Sequence, residues 1–223
     1  MNYILNRSNR KTIGIYIING GVEVRAPYSC PKSEIDQFVA LKEEWIRSKL
    51  NEAQRQTEKK NAFSLNYGDK IYLCGDLYAI TAREGNRAGI DEKCFYMPPN
   101  LEPSQIQDIC VKLYRNFATV ELAARVEEFA RIMGVSPSAV KINGAKSRWG
   151  SCSSKKSINF SWRLVMADDE TIDYVVVHEL AHLKHMNHSK QFWDVVADVL
   201  PDYKMRKARL LKLQKKLNEE NWG

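Results

Sequence analysis

His178-Glu179-Leu180-Ala181-His182-Leu183-Lys184-His185-Met186-Asn187-His188 holds all four histidines of the 223-residue chain. Before and through it, Ile172, Val175, Val176, Leu180 and Leu183 recur at helical spacing, so a helix carries its first half. Those residues cover most of the helix surface, which predicts a buried helix. Asp168 or Asp169 is placed to cap it, and Glu170 suits its positive end. On that helix His178 and His182 lie one turn apart on one face. Two imidazoles so placed can hold one zinc ion, and Glu179 beside them can reach a water on the same metal. This is the H-E-x-x-H arrangement of zinc hydrolases.

A catalytic zinc takes three protein ligands and keeps a fourth position open for water. Here the third is His185 or His188. On a continued helix His185 would share the face of the other two, but it would sit about 10 Å along the axis from His178. Helix geometry therefore favours His188, reached after the chain turns back. Asn187 tolerates the left-handed backbone that such a turn uses. Ser189 can cap a following helix, with Phe192, Trp193, Val196 and Val199 facing the core. Zinc so held lowers the pKa of its bound water and polarises the scissile bond. Glu179 takes the water's proton and passes it to the leaving group. Three histidines beside a non-ligating Glu179 point to an open catalytic site, not a closed structural one.

The rest of the chain reads as α+β. Lys11 to Ile18, Asn19-Gly20-Gly21 and Val22 to Ala26 spell a hairpin. Ser33 and Asp36 resemble a capping box for a helix whose stripe is Ile35, Phe38, Val39, Leu41, Trp45, Ile46 and Leu50. Beyond Leu50 the stripe fades into a solvated run. Ala62 to about Pro98 is a second β section, punctuated by Gly68-Asp69 and Gly75-Asp76. Pro98-Pro99-Asn100 is the linker candidate, dividing a β-rich region at 1–100 from a metal-dependent hydrolase domain at 101–223. A long helix from about Ser104 to Met133 carries Ile109, Leu113, Phe117, Val120, Ala124, Phe129 and Ile132, with Gly134 as its stop. A strand over residues 140–142 leads to a turn, and Ser157 to Val165 alternates as the returning strand.

Composition narrows the setting. The five cysteines are scattered and odd in number, which argues for reduced thiols over a disulfide framework. Residues 1–7 lack an apolar signal core and no apolar run reaches membrane-spanning length, so a cytoplasmic protein is expected. No phosphate-loop or dinucleotide glycine pattern is present. The net charge of +7 permits an anionic partner but is also ordinary solubilising charge.

Several blocks together resemble a known family. They are Ser147-Arg148-Trp149-Gly150-Ser151-Cys152-Ser153, Trp162-Arg163-Leu164, Ile172 to Leu183, Met186-Asn187-His188-Ser189, Phe192-Trp193 and Pro201-Asp202-Tyr203. The pattern is similar to the YgjP-like metallopeptidases and, more distantly, to the SprT and WLM zinc proteases. The dense match spans about Val140 to Tyr203. The resemblance implies a zincin-like fold for the C-terminal domain, zinc bound by His178, His182 and His188, and Glu179 as the catalytic base. The longer metzincin motif has a glycine where this chain has His185, so the turn is made differently here. Some relatives bear the name UTP pyrophosphatase, which keeps a nucleoside triphosphate beside a peptide or protein as a substrate class.

Other residues carry two readings each. Arg148 could hold a substrate carboxylate or phosphate, or form a structural stack with Trp149. By analogy with zincin-type folds, the strand they precede could bind extended substrates by β-addition. Tyr174 and Tyr203 could donate to an oxyanion or serve as core and hinge residues. Lys204, Arg206, Lys207, Arg209, Lys212, Lys215 and Lys216 form a basic C-terminal stripe. It could face nucleic acid or be a solvated helix face, and the missing aromatic interleaving favours the latter.

Overall fold

The computed structural model describes Met1–Trp222 and divides by compactness into two units, residues 1–63 with 218–221, and residues 64–217 with 222. The boundary expected at 100/101 thus lies inside the second unit. Pro98-Pro99-Asn100 links a sheet to a helix of that same unit.

In the first unit, β1 (Ile4–Ser8), β2 (Gly14–Ile18) and β3 (Gly21–Pro27) form a sheet ordered β1-β3-β2, with β1 parallel and β2 antiparallel to β3. The expected hairpin is present. Ile18 pairs with Gly21 across Asn19 and Gly20, both at positive φ, which is the two-residue turn that suits strand twist. Val22, Val24 and Ala26 alternate inward from the central strand onto Ile35, Val39 and Ile46. The following helix differs from its reading in two ways. It begins after Pro31 without a side-chain cap, and it breaks at Lys42 into α1 (Lys32–Leu41) and α2 (Glu43–Ala62). α2 also continues through the polar run after Leu50. The spaced pair Gln54–Glu58 supports it where no apolar stripe does.

The second unit opens with a sheet ordered β4-β5-β7-β6, from β4 (Lys70–Leu73), β5 (Asp76–Ala82), β6 (Gly89–Asp91) and β7 (Cys94–Met97). α3 (Pro103–Met133) follows. Pro103 starts it, Glu102 and Gln105 form a capping box, and Gly134 ends it in the left-handed conformation. Phe129 of the expected stripe is buried, but the rest of the buried face is rotated from it. Ile106, Cys110, Tyr114, Ala118, Leu122, Val126 and Ala130 face inward, while Val120 and Ile132 are exposed. Small and polar-tipped residues, which an apolar count passes over, complete that face. Tyr114 is fully buried because its hydroxyl donates to the Tyr72 carbonyl at 2.6 Å.

A third sheet, β8 (Ala139–Asn143), β9 (Gly150–Cys152) and β10 (Ser157–Ser161), is ordered β8-β10-β9. The returning strand stops at Ser161, earlier than its alternation suggests. Trp162–Met166 is a 3-10 turn buried on all sides, where a one-faced strand would leave alternate residues in water. α4 (Asp169–Ala181), α5 (Lys190–Val199) and α6 (Tyr203–Leu217) complete the unit. The mixed α+β class read from the sequence holds, with six helices and three small sheets among the described residues. No helix among them is long and apolar enough to cross a membrane.

Candidate active site

α4 is the buried platform that its sequence predicts. Asp168 caps it by accepting from the Thr171 amide at 2.9 Å, and nine of its residues are buried. Its last turn presents His178 and Glu179, and His182 stands at its C-cap. The chain then turns without a left-handed residue. Asn187 is not at positive φ. Instead the amides of Leu183, Lys184 and His185 bond back to Leu180 and Ala181 at 3.0 Å, tightening the helix end. That is how the turn is made with histidine where the longer motif has glycine. Ser189 caps α5 in position, though its side chain makes no capping bond.

This turn brings His188 back to the helix. Its Nε2 lies 3.2 Å from His178 Nε2, and one ring nitrogen from each of His178, His182 and His188 falls within 4.8 Å of the others. Two imidazole nitrogens on one tetrahedral zinc stand about 3.3 Å apart, so the donor set fits such an ion. The protonation states fit as well. Burial pushes His178 down to about 3, helped by the charges of His182 and His188, and burial also lowers His182. Both imidazoles are thus held neutral, the form that binds metal. His185 lies outside the cluster, but its backbone carbonyl is 3.2 Å from His182 Nδ1. A proton on Nδ1 donated there leaves Nε2 free as the ligand atom.

Phe192 underlies all three rings. Its ring centroid lies 4.9 Å from His178, 4.6 Å from His182 and 4.7 Å from His188, and its side chain is fully buried. Trp193 stacks on His188 at 5.7 Å and on Tyr203 at 5.2 Å. Tyr203 is therefore joined to the histidine cluster through Trp193. The sequence places Phe192 and Trp193 in the core, and their part in the cluster appears only once α5 folds against α4.

Glu179 is 5 % exposed, and its Oε2 has no hydrogen-bond partner among the described residues. Burial raises its pKa to about 7, against the opposing charge of exposed Arg148. The carboxylate packs on Gly150. A Cβ there would stand 2.5 Å from Oε1 and 2.6 Å from Cγ of Glu179. Gly150 is a site residue the sequence did not disclose, because its reason is the approach of a side chain from another element. Gly150→Ala is expected to lower hydrolysis about 10²-fold with zinc retained, since it would displace by about 1 Å the carboxylate expected from the sequence to act as base. A turnover number within threefold of wild type, measured at full zinc occupancy, would refute the crowding.

The remaining expected residues spread out. Tyr174 lies 5.9 Å from His178, with its pKa raised to about 12 by burial and by Tyr203 and Glu179. Trp149 is half-buried, and its carbonyl accepts from the Ser161 amide at 2.8 Å. Much of the basic stripe is already engaged. Arg206 holds Asp202 and the Glu170 carbonyl, Arg209 holds Glu170, and Lys207 lies over Trp193. A second group with metal-ligand spacing, Cys74, Glu121 and Asp169, surrounds the Arg125 guanidinium, which pairs with Glu121 at 2.7 Å and Asp169 at 2.5 Å. It reads as an ion-pair network.

Among solved structures, the metallopeptidase zymogen of Pyrococcus abyssi abylysin is 27% identical, over 41% of this chain and 92% of that chain, with a TM-score of 0.39. The metallopeptidase zymogen of Methanocaldococcus jannaschii jannalysin is 25% identical, over 43% and 96% respectively, with a TM-score of 0.37. No curated protein matches. The family model for the YgjP-like metallopeptidase domain matches residues 11–213, and the chain accordingly belongs to the YgjP-like metallopeptidases, zinc-dependent hydrolases.

Proposed function

We propose that this metallopeptidase cleaves peptide bonds with Glu179 as general base and with His178, His182 and His188 as the residues that hold zinc. The reading rests on three imidazole nitrogens converging within 4.8 Å beside a buried carboxylate that has one oxygen unpartnered. Zinc bound there supplies a Lewis acid for the scissile carbonyl and lowers the pKa of an attacking water. Glu179, with Oε2 unpartnered among the described residues, would take the proton of an attacking water and deliver it to the leaving amine. A folded-state pKa near 7 suits a group that must both accept and return a proton at neutral pH.

The substrate is placed along β9. This strand is the outer edge of its sheet, so its free backbone groups can pair with an extended peptide. Gly150 in β9 touches Glu179, which sets a peptide on that edge beside the base. Arg148, exposed and just before β9, is available to a substrate carboxylate. Trp149 and Tyr203 are the proposed walls of the groove.

Zinc-loaded protein should degrade denatured protein substrates, stop after chelation and recover with added zinc. His188→Ala should weaken zinc binding about 10²-fold, whereas His185→Ala should leave it within a few-fold. Hydrolysis of nucleoside triphosphates with no proteolysis would overturn the substrate assignment. Loss of zinc in His185→Ala but not His188→Ala would overturn the ligand set.

A further inference from the structure

At the end of α4 remote from the histidines, about 10 Å along the axis from His178, the second unit has an open cavity of about 280 Å3. Tyr72, Met166 and Leu213 give it an apolar floor. From α6, Arg209, Lys212 and Lys216 line one wall, and Asp168 is the single carboxylate among the described lining residues. Arg209 is taken up by Glu170 at 2.5 Å and Asp168 at 3.6 Å. Lys216 lies over the Tyr72 ring at 4.0 Å. Lys212 has no protein partner among the described residues.

Thr171 also lines this cavity. It is 1 % exposed, and its hydroxyl has no hydrogen-bond partner among the described residues. A threonine inside a helix ordinarily returns its hydroxyl to the preceding turn's carbonyl, and this one does not. A buried hydroxyl left unmet costs stability, so its place in one cavity with the uncommitted Lys212 ammonium marks a missing acceptor. The N-terminal turn of α4 adds a positive dipole end on the same side.

We propose that this cavity is a binding site for a phosphate monoester carried on an apolar or aromatic body, separate from the metal centre. The phosphoryl group, with three acceptor oxygens and up to two charges, matches two lysines and a hydroxyl better than a carboxylate does. The apolar body lies on Tyr72, Met166 and Leu213.

Calorimetric titration of the zinc-loaded full chain with phenyl phosphate tests this, with benzoate and benzyl alcohol as comparison ligands. Phenyl phosphate should bind saturably, benzoate about tenfold more weakly, and benzyl alcohol not measurably. Lys212→Ala and Thr171→Val should each weaken phenyl phosphate about tenfold. Thr171→Val should also raise the Tm of the ligand-free protein, because it removes an unmet buried hydroxyl, so its weaker binding would not reflect unfolding. Absence of saturable binding overturns the site. So does binding that both variants leave unchanged, which is what phosphate on the metal centre would give. Benzoate binding as tightly as phenyl phosphate overturns the phosphoester assignment. A lowered Tm in Thr171→Val without ligand binding assigns the hydroxyl to a bound water and also overturns it.

Discussion

Glu179→Gln is expected to lower peptide hydrolysis about 10³-fold while leaving zinc content and fold intact. Glutamine has nearly the shape of glutamate and fills the same space against Gly150, but it cannot take a proton from water. The fold should tolerate the change. Glu179 is 5 % exposed, and burial already pushes its pKa to about 7, which means that the charged form is held against its solvation preference. A neutral amide removes that opposition, so the Tm should stay level or rise. Turnover of a fluorogenic peptide, zinc stoichiometry and thermal unfolding should be measured on one preparation. Turnover within threefold of wild type would eliminate Glu179 as the base. A large loss accompanied by lost zinc would make Glu179 a structural support of the site and not its proton carrier.

Phe192→Ala is expected to carry the largest stability loss, about 3–5 kcal/mol, and a drop in zinc affinity with it. The side chain is fully buried, and its ring is the one aromatic surface among the described residues that contacts all three imidazoles. Removing it opens a cavity under the cluster and takes away the packing that holds the rings in their rotamers. For a chain of this size the Tm should fall on the order of 10 °C. His188 should suffer most, since it is exposed and comes from outside α4. Phe192→Leu keeps most of the volume and separates the two effects. It should recover most of the Tm and only part of the zinc affinity, because a leucine cannot reproduce the ring contacts that Phe192 makes with all three imidazoles. Zinc affinity within threefold of wild type in Phe192→Ala would show that the backbone alone sets the triad.

The histidine stretch was legible because its logic is local. His178 and His182 share a face by helix periodicity, Asp168 caps by its short acceptor, and Gly134 ends α3 by its tolerance of positive φ. The hairpin at Asn19-Gly20 was legible for the same reason. Errors came where packing overrode pattern. The stripe on α3 counted large apolar residues, yet Cys110, Ala118 and Ala130 form part of its buried face. Ser157 to Val165 alternated like one strand, but from Trp162 onward the chain is a turn buried on every side. The Pro-Pro pair suggested a boundary at 100/101, but compactness separates the chain after residue 63, because a proline pair reports on backbone torsion and not on how many contacts cross it.

By itself the sequence determined the reaction class, the helix that bears it, and two histidines on one face with a neighbouring glutamate, since residues one turn apart on a helix have no freedom to be elsewhere. Only the tertiary structure decided that His188 meets His178, that Phe192 floors the triad, and that Gly150 leaves room for the Glu179 carboxylate. Those relations join α4 to α5 and to β9. Their distances follow from how separate elements pack, a long-range outcome that no spacing along the chain encodes.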